Sequence, residues 1–327
     1  MPISNTYSPN APAARTGQGS AIGNREDLSN ELTLLAPEET PLLSLCAKGT
    51  AKSTFSEWTA DKLSAPVTTG ISEGADVNSF SDKFADRARL GNYVQIFRRD
   101  FLVSNLQEAV ASVGPANIAQ AEAKSMRELK RDVEARICSN SDRSVEDGAG
   151  TPYALRGLGS WLSSTGPADV PAAYRTPAAS ILSSAPTETT FNDIIASIFS
   201  VNGEANSLTL VANVALRKVI SNFTRSSGAA ASEAVYTVNQ NADSKKVTHS
   251  VQLYDSDFGI VKMINGNPDC MTGASGYLVN PSYLQFNTLI PMGATRLENQ
   301  GGGERGFIDM AGTLVCKHPG AHGKITL

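Results

Sequence analysis

The chain has 327 residues, 41% of them hydrophobic, and a net charge of −4, which suits two or three compact units with a buried core. Charged side chains make up 18% and aromatic ones 6%, and no Lys/Arg cluster exceeds a few residues, which argues against duplex wrapping through many phosphate contacts as the main activity. No run approaches the roughly eighteen apolar residues of a membrane span, and the widely spaced Cys46, Cys138, Cys270 and Cys316 read as free, mostly buried thiols of a cytosolic protein.

Residues 1–24 carry one charged side chain, Arg15. They bury too little apolar surface to fold alone and read as an arm that docks on something. Asp27 to Leu35 is a short helix candidate, with Pro37 and Pro41 as breakers, followed by an apolar patch at Leu42, Leu43 and Leu45. From Thr50 to about Ser104 the chain makes a polar excursion. An outgoing strand, Thr54 to Trp58, and a return strand, Arg87 to Phe97, flank roughly thirty residues, longer than a structureless loop should be unless functional. A two-stranded ribbon is marginal alone in water. It needs a surface to lie on, and a neighbouring copy supplies one.

The strongest predicted helix spans Ala116 to Ser139, announced by Gly114-Pro115. Ile118, Met126, Leu129, Val133 and Ile137 form one stripe, and Lys124/Glu128, Lys130/Glu134 and Asp132/Arg136 are spaced for i,i+4 pairs. Residues 140–190 are loop-rich. A second helix begins at Thr190, with Thr190 and Asp193 resembling a capping box and Phe191, Ile194, Ile195, Ile198 and Phe199 on one face. Ser207 to Ala212 predicts a strand, and Asn213 caps a third helix to about Phe223. Val247 to Tyr254 and Gly259 to Ile264, joined by residues 255–258, predict a hairpin. Tyr277 to Asn280, Phe307 to Met310 and Thr313 to Lys317 predict further strands. The fold class is α+β.

Motifs for chemistry are weak. Gly301 to Gly306 matches G-x-G-x-x-G, but the helix and later acid of a dinucleotide site are missing, so a turn is expected. Cys316, His318 and His322 offer three metal-type ligands around Pro319-Gly320, where a strand, turn and short strand is the better reading. No nucleophile–base pair can be assembled. No catalytic, cofactor or metal residue is therefore assigned.

Four segments, in order, carry a resemblance: Asn92 to Phe97 with Val103-Ser104; Lys124 to Ser139; Tyr254 to Gly259; and Leu278 to Pro281 with Ala321 to Ile325. Together they resemble major capsid proteins of tailed bacteriophages with the Hong Kong 97-type fold, in a branch without a large N-terminal scaffold region. The resemblance implies an N-terminal arm and short helix (1–49), an extended loop (50–104), a peripheral domain with a spine helix (105–190), an axial domain (191–277) and C-terminal strands completing the peripheral domain (278–327). It implies hexamers and pentamers of a shell enclosing double-stranded DNA, a separate scaffolding protein, a portal and room for a decoration protein, with no membrane partner and no enzymatic activity. Assembly is expected in the host cytoplasm.

Glu57, Arg98 and Arg99 are the candidates for inter-subunit ion pairs, with Trp58 and Arg15 as further interface candidates. Met310 to Leu314 lacks an acid that relatives often carry. No motif for a Lys–Asn cross-link surrounds Lys62, Lys83 or Asn78, so none is expected. An encapsulin-type compartment and a cytosolic α+β hydrolase are the alternatives.

Overall fold

The computed structural model describes residues 39–110, 117–203, 207–223, 239–240, 247–248 and 252–327. Arg15, the expected 27–35 helix and Gly114-Pro115 lie outside them.

The chain begins with a one-turn helix α1 (Pro41–Leu45), then strands β1 (Ala47–Thr50), β2 (Phe55–Ala60), β3 (Ala88–Tyr93) and β4 (Gln95–Val103), and a short helix α2 (Asn105–Ala109). The return strand expected as one run from Arg87 to Phe97 is two strands, broken at Val94. There the chain changes partners: β3 pairs with β2, whereas β4 pairs with residues 304–312. Val94 is buried and its amide donates to Thr54 at 2.8 Å, closing the ribbon at the break.

Helix α3 (Ile118–Ile137) starts where Asn117 accepts from the Gln120 amide at 3.0 Å. Its 20 residues give a rod about 30 Å long, shorter than the predicted Ala116 to Ser139. The predicted stripe faces the core: Ile118, Leu129, Val133 and Ile137 are buried and Met126 packs against them. Burying each such side chain contributes roughly 1.5–3 kcal/mol. Of the three i,i+4 pairs only Lys124–Glu128 forms, at 3.9 Å. Asp132 turns to Arg99, Arg136 to the Leu155 carbonyl, and Glu134 inward, because each finds a better partner across the fold than along the helix.

After α4 (Leu158–Trp161) and β5 (Ile181–Leu182), helix α5 (Glu188–Asn202) begins earlier than predicted. Thr187, not Thr190, is the cap, and Thr190 is its capping-box partner. Gly203 ends α5 with φ 71°, a left-handed position that suits glycine. Strand β6 (Thr209–Ala212) leads into α6 (Val214–Phe223), capped by Asn213 through the Leu216 amide at 2.9 Å as predicted. Short strands β7 (Asn239–Gln240) and β8 (Val247–Thr248) pair with each other. The predicted hairpin forms as β9 (Leu253–Ser256) and β10 (Gly259–Asn265) with Asp257-Phe258 between them, but its first strand, expected over Val247 to Tyr254, begins later: Val247 and Thr248 pair with β7 instead.

Strand β11 (Gly276–Val279) is followed by β12 (Leu284–Leu297), β13 (Glu304–Cys316) and β14 (Gly323–Ile325). The two predicted strands around 307–317 are one, because ladders on both sides carry it through Gly312, where a side chain would strike the Phe286 ring. Strand β12 is not predicted at all. Pro291 argues against a strand, yet it sits at a register shift between Ile290 and Gly293, where a bulge tolerates it. The glycine-rich string is the β12–β13 connection followed by strand, as expected for a turn.

One sheet runs β1-β12-β13-β4 and carries α3 on one face; the other runs β5-β14-β11-β6-β10-β9. Two cores result. The first joins α3 to Phe97, Phe101, Phe286, Ile308 and Trp161; the second gathers Phe191, Ile194, Ile195 and Ile198 of α5 with Leu216, Ile220 and Val261. Strands β6 and β11 serve both. Val211, Tyr277 and Val279 point into the first core, Leu210, Ala212 and Leu278 into the second, as strand alternation dictates.

Candidate functional site

The ribbon β2–β3 projects residues 61–87, which hold no helix or strand and are exposed throughout. The stretch reads as polar in sequence, but the structure presents six large apolar side chains to solvent: Leu63, Val67, Ile71, Val77, Phe80 and Phe84. Leu63 is 94% and Phe80 92% exposed. Six such side chains within one exposed stretch are more than the singly scattered apolar residues normal on a surface. The ends of the stretch are clasped. Asp61 pairs with Arg87 at 2.8 Å, the Tyr174 hydroxyl donates to the Asp86 carbonyl, and Arg87 stacks over Phe84 at 4.1 Å. The Arg87 guanidinium holds the Asp61 carboxyl below the ordinary carboxylate range.

The root is pinned by side chains from three distant segments. Asn92 is fully buried: its Oδ1 accepts from the Arg156 amide at 2.7 Å, and its Nδ2 donates to the Leu314 and Arg156 carbonyls at 2.9 and 3.3 Å. Arg143 donates to the Gly91 carbonyl and lies over the Phe55 ring at 5.0 Å. Gly91 is required there, since a Cβ would approach the same ring to 2.5 Å. Arg156, 1% exposed, bonds Asp142 and Asp169 and covers Trp161 at 4.6 Å. Burial would raise Asp169, but Arg156 and Arg143 outweigh it and hold the carboxyl below its usual value.

The predicted interface residues do not converge. Glu57 is exposed on β2, 3.9 Å from Arg89. Trp58, half-buried, packs on Trp161 with ring centroids 5.6 Å apart. Arg98 meets Asp309 at 3.2 Å and stacks over Phe307; Arg99 grips Asp132 with two bonds of 2.6 and 2.7 Å, tying β4 to α3. Both arginines therefore have partners within the chain while their side chains stay about half exposed. Asn92, Arg143, Arg156 and Asp169 were not singled out from sequence, and their only signal was two arginines bracketed by aspartates in a glycine-rich loop.

A cleft of about 1020 Å³ beside the root is lined by Asp61, Lys62, Arg175, Tyr283, Lys317 and His318. His318 lies edge-on to Tyr283, and burial pushes its pKa down. Among the described residues no hydroxyl or thiol side chain hydrogen-bonds an imidazole, and no three His, Cys, Asp or Glu side chains could hold a metal. His322 is buried and accepts from the Asn280 amide at 3.1 Å, while Cys316 ends β13. No described helix is long and apolar enough to cross a membrane.

Solved structures share this fold. The capsid protein of the cyanophage P-SCSP1u matches with a TM-score of 0.61 at 12% identity, over 100% of this chain and 98% of that one. A structure from Gordonia phage Cozz matches with 0.59 at 12%, over 100% and 98%. The capsid of an empty GTA particle matches with 0.61 at 11%, over 96% and 99%. No match was found among curated protein sequences. The SU10 major capsid protein family model matches residues 14–327, and the chain therefore belongs to that family: it is a shell-forming phage capsid protein of the Hong Kong 97 type.

Proposed function

We propose that the ribbon is the part of the subunit that interlocks the shell, with residues 61–87 lying across a neighbouring copy. The observation that carries this reading is the row of six exposed apolar side chains on an otherwise rigidly rooted projection. Covering Leu63 and Phe80 alone would contribute roughly 1.5–3 kcal/mol each per contact, and repetition around a closed shell multiplies small increments into a stable whole. Residues 1–24 act as a second arm, α3 is the spine of the peripheral domain, and residues 191–277 are the axial domain facing the local symmetry axis. Glu57, Trp58, Arg98, Arg99 and Arg15 are interface residues in this reading, the two strand arginines adding neighbour contacts to those they make within the chain.

The shell encloses double-stranded DNA, assembles in the host cytoplasm with a separately encoded scaffold and a portal, admits a decoration protein, and catalyses nothing. The test is the double variant Leu63→Ser/Phe80→Ser. The subunit folds with an unchanged unfolding midpoint, and shell yield by sedimentation and negative-stain microscopy drops at least tenfold, since each subunit loses about 3 kcal/mol or more of burial. Normal shells from this variant refute the interlocking role. Nucleic-acid content of purified shells checks the cargo.

A further inference from the structure

Helix α1 makes no cap of its own, for Thr40 forms no side-chain bond to its first turn. The Leu42 and Leu43 amides donate instead to the two carboxylate oxygens of Glu134 on α3, at 2.9 and 2.8 Å. Glu134 is 1% exposed, and among the described residues no cation pairs with it. The titratable groups that face it are thiols: Cys46 after α1, Cys138 at the end of α3 and Cys270 from the loop before β11. Burial pushes its carboxyl above the ordinary range, against the pull of the two amides. A buried carboxylate without a counter-cation is costly to keep.

The rest of the hold is thin. Leu42 is the one buried side chain of α1. Asn267 donates to the Glu39 carbonyl at 3.0 Å. Beyond Cys46, β1 is, among the described residues, an edge strand joined in parallel to β12 alone, through Ala47 to Thr50. The segment leading from residue 39 into the body is thus attached by the Glu134 carboxylate, by Leu42 and Cys46 in the core with Leu43 and Leu45 packed against it, by the Asn267 bond and by a short edge ladder.

We propose that residues 39–46 are a releasable latch, a segment that leaves α3 as a unit, pinned by Glu134, while both cores stay folded. Opening exposes Leu42, Cys46 and the packed faces of Leu43 and Leu45 but returns the carboxylate and two amides to water, and this offset favours local opening below the global unfolding free energy. Residues 1–38 enter the body through this latch, so a neighbour that grips them pulls on Glu134. That consequence rests on the reading of residues 1–24 as an inter-subunit arm; the latch itself does not.

The chain supplies its own probes. Cys46 is shielded by the docked segment, whereas Cys316 is buried in the sheet, and burial leaves both thiols unreactive until something opens. The unassembled full-length subunit is treated with iodoacetamide, and each cysteine is scored by mass spectrometry against its rate in the urea-unfolded chain. Cys46 should react about tenfold or more faster than Cys316, the mark of local opening. Leu42→Ala and Glu134→Ala should each raise the Cys46 rate about tenfold further and leave Cys316 unchanged. Equal rates at Cys46 and Cys316 in the parent protein overturn the latch, as does a parallel rise at both in Leu42→Ala. Should Glu134→Ala fail to fold, the parent ratio and Leu42→Ala still decide. Shell formation does not enter the readout, so the latch fails on equal rates and the shell reading fails on absent particles.

Discussion

At the root of the ribbon Asn92, Arg143 and Arg156 all have their polar groups engaged, while between residues 61 and 87 the large apolar side chains face solvent. The root spends its interactions within the subunit and fixes where the projection points. The outer stretch leaves its apolar side chains outside the subunit's own cores, which is the basis of the proposed interlocking role. A residue's contribution to folding and its contribution to association are therefore separable along one short stretch of chain, and each can be broken without the other.

The largest effect is expected at the root. Arg156→Ala removes a buried cation shared by two aspartates and uncovers Trp161. Because Asp142 and Asp169 are themselves partly solvated, we expect a loss of about 3 kcal/mol, at the lower end of the range for breaking a buried pair, read from urea unfolding. A loss below about 0.5 kcal/mol would place Arg156 with ordinary surface residues and dissolve the contrast.

Acid sharpens it. His322 is held neutral in the fold, its pKa pushed down to about 3 by burial. The unfolded chain takes up a proton below about pH 6.5 and the folded one does not, so stability falls from pH 6.5 downward, by roughly 2 kcal/mol at pH 5. His322→Asn, which keeps an acceptor for the Asn280 amide, should flatten that limb. The root adds its own limb lower down. Asp169 stabilises the fold above its unfolded value near pH 4, and that contribution is lost as pH falls through its depressed folded value.

The smallest effect is at the clasp. Asp61→Asn leaves the unfolding midpoint unchanged, because the pair is solvent-exposed, but it should speed proteolysis within residues 61–87. Unchanged cleavage would show that the Tyr174 hydroxyl alone holds the ends together.

What the sequence discloses follows the range of the interactions. The α3 stripe, the Asn213 cap and the 253–265 hairpin are local patterns and were legible. Strand β12 was not, because Pro291 hides a strand that bulges around it. Glu134 was assigned to Lys130 by spacing, although it adjoins Val133 on the buried stripe; only the approach of α1, 92 residues away, gives it a reason to turn inward. The root was invisible for the same cause: Asn92 meets Leu314 across 222 residues. The apolar residues of 61–87 were in plain view but diluted among polar neighbours, so composition concealed how much apolar surface the stretch exposes.

The wall between the two cores has one more consequence. Because β6 and β11 alternate side chains into both, neither body can melt without stripping one face from strands the other needs. The subunit is thus a single cooperative unit, and heating should give one calorimetric transition whose van't Hoff and calorimetric enthalpies agree. A shell made of such units deforms by moving whole subunits against one another, not by loosening one half of each.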